Sequence, residues 1–340
     1  MVPTTATVIH IDPLLGRDAA DEMLAARDRF GSYGMYSNEG FDTAYAAGLP
    51  QRWDAAANYI CTGGVYGDRA DEDDGLLATR TNYFRETYAY GDEIALPGIE
   101  GLRTHHRLMT AAAELHGRPV IEPAIVYANI HTPGQELALH TDVPEFRGAN
   151  RKVVPQWLLV VMHHSGLFVP WRLPIATAIC YFGHVRGGDL VVYPRGPEEP
   201  SEAIPAAHDT AVVLDTDATF HGVARVEGDE SRLAAMRSGQ RLWPLDGAHW
   251  SLRDASGTDL ASFAEDELRF SVSWKAYCFT DEAERDLWRG HGDDLSLDTI
   301  LDSLEADLTA QGALTAGRPS SEEDFAQLLI DHYIHFPTTA

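Results

Sequence analysis

The chain has 340 residues, 44% of them hydrophobic and 23% charged, a composition typical of a folded globular protein rather than a disordered one. Its formal net charge of -26, from 52 acidic and 26 basic residues, would repel phosphate backbones and anionic lipid surfaces. We therefore expect neither a nucleic-acid-binding nor a membrane-binding protein.

The N-terminal sequence lacks a basic segment followed by an apolar run and a cleavage site, and no later segment reaches 18 uninterrupted apolar residues. We expect a cytoplasmic protein. The three cysteines, Cys61, Cys180 and Cys278, are far apart and odd in number. This favours buried reduced thiols over a disulfide framework or a Cys-x-x-Cys metal site.

Helical spacing of apolar residues predicts helices in the first third of the chain. The spacing occurs over residues 18–30 and again over residues 101–117, where a glycine stands at each end. Between them, residues 61–75 read CTGGVYGDRADEDDG, a segment without periodicity that predicts an exposed loop. We expect residues 1–120 to form a helical N-terminal part.

From residue 121 the pattern changes to short β-rich runs broken by Pro and Gly. The runs are AIVYANI, QWLLVVMHH, TAICYF, DLVVYP, TAVVLD, HGVARV and LRFSVSWKAYCF. Strands in succession without long helices between them predict an antiparallel sandwich or barrel. Residues 281–340 return to helical spacing, with Ser296 and either Ser320 or Ser321 as predicted N-caps. We expect residues 1–340 to form a single domain, mainly β with flanking helices.

The stretch ELALHTDVPEFRG places a histidine and an aspartate two residues apart at the end of a predicted strand. Residues i and i+2 of an extended chain face the same side, so His140 and Asp142 can both reach one ion. A facial triad for iron(II) needs a second imidazole from a distant strand. We predict that this is His221, which begins a β-rich run 81 residues after His140.

The last β-rich run opens with Arg269 and has Ser271 two residues later. On an inward strand face, the guanidinium and the hydroxyl project together and can hold a carboxylate.

These motifs together resemble the iron(II)- and 2-oxoglutarate-dependent dioxygenases, most closely the prolyl-hydroxylase-like branch. The order and spacing of HTD, GGDLVVYP, TAVVLDTDATFHGVARV and RFS are similar to the pattern of that family. The resemblance covers about residues 121–280 and implies a double-stranded β-helix core there, of the jelly-roll or cupin-like type.

Transferred residue by residue, the resemblance implies that His140, Asp142 and His221 ligate iron(II). It also implies that Arg269 and Ser271 bind the distal carboxylate of the cosubstrate 2-oxoglutarate.

Three further residues are candidates for binding small molecules. Tyr127 or Asn129, on the strand before the HTD turn, looks like the family's second contact to 2-oxoglutarate, although Tyr127 can equally be a buried tyrosine with a satisfied hydroxyl. Arg147, five residues after Asp142, is a candidate for binding a substrate carboxylate, with a surface ion pair as the alternative.

The chain departs from the family pattern at the cosubstrate arginine. The family usually has this arginine roughly ten to fourteen residues after the distal histidine, where this chain has Arg232. Arg232 lies in a charge-dense segment, whereas Arg269, 48 residues after His221, opens a β-rich run. We therefore favour Arg269 and interpret residues 227–268 as an insertion between the last two core strands.

The resemblance implies an oxygenase that uses iron(II), 2-oxoglutarate and O2 to hydroxylate an unactivated C–H bond, releasing succinate and CO2. The expected substrate is a small molecule, either an amino acid or a natural-product intermediate. Asp142 disfavours halogenation, because related halogenases have a small residue at that position. Two alternatives stay open: the same cofactors used for desaturation or cyclisation, and a non-catalytic cupin-like protein that binds a metal or a small acid.

Overall fold

The computed structural model of the chain describes residues 5–36, 76, 79–196, 199–246 and 248–334. The predicted loop at residues 61–75, which includes Cys61, lies outside the described residues.

The described residues form two antiparallel sheets with helices packed outside them. The strands are β1 (Val8–Ile11), β2 (Tyr33–Met35), β3 (Phe84–Tyr90), β4 (Glu93–Ile94), β5 (Val120–His131), β6 (Leu137–His140), β7 (Ile175–Phe182), β8 (Leu190–Tyr193), β9 (Glu202–Ile204), β10 (Thr210–Leu214), β11 (Phe220–Val223), β12 (Arg241–Pro244), β13 (His249–Arg253), β14 (Asp259–Ala264) and β15 (Arg269–Phe279). The α-helices are α1 (Arg17–Phe30), α2 (Glu100–Arg103), α3 (His106–His116), α4 (Gln156–Ser165), α5 (Glu282–Arg289), α6 (Leu297–Ala310) and α7 (Glu322–Tyr333).

Most successive core strands lie in different sheets, although β8 and β9 both belong to the smaller one. The larger sheet contains the run β10-β7-β15-β5, and the smaller sheet has the order β6-β11-β8-β9. Apolar side chains from both sheets meet between them, among them Tyr181 of β7, Leu190 of β8 and Val212 of β10. This is the jelly-roll arrangement of a double-stranded β-helix, so the predicted fold class is confirmed.

The two faces of β15 differ in polarity, and this difference positions the site. Arg269, Ser271, Ser273 and Lys275 lie on one face, between β5 and β7 in the larger sheet. The alternate residues are apolar, and they pack with α1 and α3 in the main hydrophobic core. The interior of the barrel therefore receives the polar side chains, while the helices cover the apolar face.

One predicted strand is a helix. The run QWLLVVMHH forms α4, which packs against α6 and α7 in a second hydrophobic cluster. A short apolar run cannot distinguish a buried strand from a buried helix by periodicity alone. Its boundaries are helical, because Pro155 precedes the first turn and Gly166 takes a left-handed conformation (φ 69°) at its C-terminal end.

The N-terminal part contains strands as well as the expected helices. β1 extends the larger sheet beside β10, and β3 pairs with β5. The single helix expected over residues 101–117 is two helices, α2 and α3, separated at Thr104 and His105. These strands have two to seven residues, too few for a clear alternating pattern.

The segment between β11 and β15, residues 227–268, adds three strands to the larger sheet. β12 pairs with β2, and β13 and β14 follow in order. In the C-terminal part, Ser296 and Ser321 cap α6 and α7 by accepting hydrogen bonds from backbone N–H groups.

Cys180 and Cys278 are buried free thiols. In the part of the chain that the structure describes, no helix is long and apolar enough to cross a membrane.

Candidate metal and cosubstrate site

The structure brings His140, Asp142 and His221 together inside the barrel. His140 ends β6 and lies directly opposite His221 of β11, and Asp142 follows two residues later. One ligand atom from each residue lies within 4.8 Å of the other two, and all three residues are buried. Among the residues described, no other group of three His, Cys, Asp or Glu side chains has this geometry.

The surroundings of the three side chains orient them for metal binding. Nδ1 of His221 lies 2.9 Å from the carbonyl oxygen of Thr219, so Nδ1–H donates there and Nε2 is left as the ligand atom. Nε2 of His140 lies 3.8 Å from Oδ1 of Asp142. Two imidazoles and one carboxylate suit iron(II), so the residues present fit this ion.

Lys275 holds the other oxygen of the aspartate. Its Nζ lies 2.7 Å from Oδ2 of Asp142, while Nζ and Oδ2 are both largely shielded from solvent. Burial is the largest single influence and lowers the pKa of the Lys275 ammonium, but Asp142, Tyr127 and Asp217 together outweigh it and raise that pKa above its usual value. Lys275 is therefore charged, and Oδ1 of Asp142 is the oxygen left facing His140.

The predicted cosubstrate residues line the same small cavity as the triad. The cavity has a volume of about 60 Å³. Its lining includes His140, Asp142, His221, Arg269, Ser271, Tyr127 and Asn129. The structure thus brings together seven of the eight residues for which a binding function is predicted.

Arg269 is only 2% exposed and is held in a fixed pose. Its Nε donates to the carbonyl oxygen of Gly188 at 2.5 Å, and Nη1 donates to Oγ of Ser271 at 3.1 Å. The guanidinium also lies over the ring of Tyr181, 5.2 Å from its centre. Gly188 has φ +70°, and a Cβ there would lie 2.6 Å from Cδ of Arg269. The close approach of the arginine therefore requires glycine at this position.

Tyr127 and Asn129 lie on β5 beside β15. Nδ2 of Asn129 donates to Oγ of Ser273 at 3.0 Å, and Oδ1 of Asn129 is buried without a partner among the described residues. The ring of Tyr127 lies against the guanidinium of Arg85, whose Cζ is 3.7 Å from the ring centre. Of these two candidates, Asn129 has a buried side-chain oxygen without a partner among the described residues, whereas the ring of Tyr127 contacts the guanidinium of Arg85.

Arg147 does not line this cavity. Its guanidinium forms a bidentate ion pair with Asp293, at 2.8 Å for both contacts, and donates to the carbonyl oxygen of Pro170. The carboxylate of Asp293 therefore accepts hydrogen bonds from the guanidinium N–H groups that the prediction assigned to a substrate carboxylate. The structure contains an ion pair, as in the alternative, but Arg147 is buried rather than at the surface, and substrate binding by Arg147 stays a prediction.

Arg232 also lies outside the cavity. It forms an ion pair with Glu267 and lies over the ring of Phe263, 4.5 Å from its centre. Of the two competing arginines, only Arg269 shares a cavity with the triad.

Sequence analysis missed Lys275, Ser273 and Asp217. The first two continue the polar alternation of β15 that begins with Arg269 and Ser271, so extending that pattern by four residues would have found them. Asp217 follows the lining residue Thr216, and both of its carboxylate oxygens are buried without a hydrogen-bond partner among the described residues. Burial raises the pKa of Asp217 to about 8. No sequence pattern indicates this carboxyl.

A second, larger cavity of about 590 Å³ adjoins the first. Tyr83 and Tyr127 line both cavities, and Lys275 lines the larger one while it contacts Asp142 of the smaller. The larger cavity is of the size that accommodates a small organic ligand.

No family model and no curated protein matches the sequence. Solved structures similar in fold include a prolyl hydroxylase from Trichoplax adhaerens in complex with a hypoxia-inducible-factor peptide, at 12% identity, covering 83% of this chain and 87% of that chain with a TM-score of 0.41. A prolyl-4-hydroxylase from Pseudomonas putida has 12% identity, covers 81% and 94%, and has a TM-score of 0.38. The α-ketoglutarate-dependent carbocyclase SnoK of nogalamycin biosynthesis has 12% identity, covers 87% and 91%, and has a TM-score of 0.42.

Proposed function

We propose that this chain is an iron(II)- and 2-oxoglutarate-dependent oxygenase that hydroxylates an unactivated C–H bond of a small molecule and releases succinate and CO2. The observation that supports it best is the shared lining of one small cavity by the His140–Asp142–His221 cluster and the Arg269–Ser271 pair. A site for a dicarboxylate that chelates a metal needs a metal triad and a carboxylate-binding arginine together.

His140, Asp142 and His221 would hold iron(II), which would supply the redox chemistry that activates oxygen. The protein's own contribution is orientation: Thr219 fixes the tautomer of His221, and Lys275 fixes the carboxylate of Asp142.

Arg269 binds the distal carboxylate of 2-oxoglutarate, with the hydroxyl of Ser271 beside it. The guanidinium is already positioned by Gly188 and Tyr181, so little side-chain entropy is lost when the carboxylate binds. The amide oxygen of Asn129 and the hydroxyl of Tyr127 are available for a second contact. The substrate occupies the larger cavity and reaches the metal past Tyr127.

The test is succinate release by the iron-loaded full-length protein, measured with and without candidate substrates, together with the mass of the product. Iron- and 2-oxoglutarate-dependent succinate release with a gain of one oxygen atom supports hydroxylation. A loss of two hydrogen atoms identifies desaturation or cyclisation instead. Binding of iron and 2-oxoglutarate without succinate release under any condition would contradict the enzymatic function and favour the cupin-like binding protein.

A further inference from the structure

The larger cavity lies beside the proposed metal site and is built from several separate parts of the chain. Tyr36, Tyr83 and Arg85 come from the N-terminal part, and Arg151 and Lys152 come from the segment before α4. A ligand in this cavity lies against Tyr127 and Lys275, both within the barrel. On the proposed function, this is where the substrate binds.

The charge of this cavity is opposite to the charge of the whole chain. Acidic residues outnumber basic ones by 52 to 26 in the sequence. Among the described residues that line the cavity there are five cationic side chains and three carboxylates. The cationic side chains are those of Arg85, Arg151, Lys152, Lys275 and Arg289, and the carboxylates are those of Glu122, Glu145 and Asp294.

Each of the three carboxylates already has a partner. The pairs are Glu122 with Arg289 at 2.6 Å, Glu145 with the hydroxyl of Tyr277 at 2.6 Å, and Asp294 with Nδ1 of His291 at 2.8 Å. Lys275 is likewise paired, with Asp142. Within the described part of the chain, Arg85, Arg151 and Lys152 form no ion pair with a carboxylate.

Arg85 is the most enclosed of these three cations. Its guanidinium lies over two rings, with Cζ 3.7 Å from the centre of Tyr127 and 4.9 Å from that of Tyr36. Cation–π contacts engage the faces of the guanidinium and a hydrogen bond with Tyr83 engages part of its edge, but none of them supplies a counter-charge. A partly buried cation with no carboxylate partner among the described residues is costly, and an anion that approaches the remaining N–H groups would offset that cost.

We propose that the substrate of this oxygenase is an organic anion, bound by Arg85 through a carboxylate or phosphate group. Arg151 and Lys152 attract the anion at the side of the cavity formed by the segment before α4. The other walls are aromatic: Tyr277 and Trp288 have ring centres 4.9 Å apart, and Tyr90 lies under the ammonium of Lys152. The substrate therefore has an apolar, ring-containing body attached to its anionic group.

The experiment compares three probes with one ring system: 2-naphthoate, 2-naphthyl phosphate and the neutral 2-naphthamide. Each is titrated calorimetrically into the full-length protein saturated with zinc(II) and 2-oxoglutarate, so that Arg269 is already occupied. The two anions are expected to bind at least about tenfold more tightly than the amide, because an ionised acceptor strengthens the hydrogen bond to arginine. The better of the two anions identifies the carboxylate or the phosphate as the preferred group.

The variant Arg85→Met keeps the length of the side chain but removes its charge. We expect it to lose at least about tenfold in affinity for the anions and to leave the affinity for 2-naphthamide unchanged. Arg151→Gln, in a segment without regular structure, is expected to show a smaller loss in the same direction. The matched control is Arg195→Gln, because Arg195 is exposed, lines neither cavity and undergoes the same charge change.

Equal binding of the anions and the amide, or an unchanged anion preference in Arg85→Met, would overturn the proposal. Titrations with 2-oxoglutarate alone keep this outcome separate from the proposed function. If 2-oxoglutarate binds and succinate is released while the anion preference is absent, only the substrate class is wrong. If 2-oxoglutarate does not bind, the oxygenase function is wrong, and the preference for anions at Arg85 is then measured without the cosubstrate.

Discussion

The two adjoining cavities are built in different ways. The smaller one, of about 60 Å³, takes most of its lining from the barrel strands, and its metal-binding aspartate is already paired with Lys275. The larger one, of about 590 Å³, takes much of its lining from the N-terminal part, from loops and from the C-terminal region, and three of its cations have no carboxylate partner in the part of the chain that the structure describes. The comparison indicates that the barrel specifies the chemistry, whereas the segments around it specify the ligand.

The largest expected effect is on the smaller cavity. His221→Ala removes one of three metal ligands, so we expect iron affinity to fall by more than about 100-fold and succinate release to fall to background. Metal analysis and a succinate assay check this. His249→Ala is the control, because His249 is exposed and lines neither cavity. Full iron content and full activity in His221→Ala would show that the triad is assigned wrongly.

The next effect distinguishes Arg269 from Arg232 as the arginine that binds 2-oxoglutarate. Arg269→Ala should raise the KM for 2-oxoglutarate by roughly 10- to 100-fold, since it removes a charged hydrogen-bonding partner from a buried site. Arg269→Lys should not restore it, because an ammonium cannot reproduce the bidentate fork. Arg232→Ala should change the KM little. A larger effect at Arg232 would reverse the assignment.

Lys275 and Lys152 both line the larger cavity, but among the described residues only Lys275 has a carboxylate partner, Asp142 of the smaller cavity. Lys275→Met leaves the buried carboxylate of Asp142 without its ammonium, so we expect the metal-free protein to lose about 3 kcal/mol of unfolding free energy. Lys152→Met should leave stability unchanged. Urea denaturation measures both. Zinc(II) should stabilise Lys275→Met more than the wild type, because the ion replaces the lost counter-charge; equal effects of the two substitutions would contradict this account.

The effect that is smallest per step of the variable changed concerns Asp217, beside the smaller cavity. Burial raises its pKa from 3.8 to about 8, so between these values the folded protein holds a proton that the unfolded chain releases. The proton on Asp217 therefore makes its full contribution to the free energy of unfolding below about pH 4, and that contribution is lost as the pH rises towards 8. Asn cannot titrate, so the stability of Asp217→Asn relative to the wild type should rise with pH, by about 1 kcal/mol per unit. Parallel pH curves for the two proteins would refute the prediction.

The strand pattern predicted the smaller cavity well, because its chemistry follows the two-residue period. His140 and Asp142 are i and i+2 at one strand end, and Arg269 and Ser271 are i and i+2 on another. The same two-residue period extends to Lys275, but the sequence of a strand does not indicate which carboxylate a lysine pairs with. That contact depends on the pairing of strands far apart in sequence.

The larger cavity could not be predicted, because no local pattern brings its walls together. Arg85 and Arg151 are 66 residues apart and belong to different kinds of segment. Arg147 is close to the metal motif in sequence, but its partner is Asp293, a distant residue of the C-terminal part. Closeness in sequence to the motif therefore did not predict its contact. In the same way, the apolar run of α4 gave no periodic signal to distinguish helix from strand.

The contact between Gly188 and Arg269 limits how this sequence can drift during evolution. Every replacement of Gly188 adds a Cβ only 2.6 Å from Cδ of Arg269, at a left-handed φ that other residues rarely adopt. A descendant that keeps the arginine in its present pose must therefore keep the glycine, although residue 188 lines neither cavity. The two positions are therefore coupled, because a substitution of Gly188 requires a different pose of Arg269.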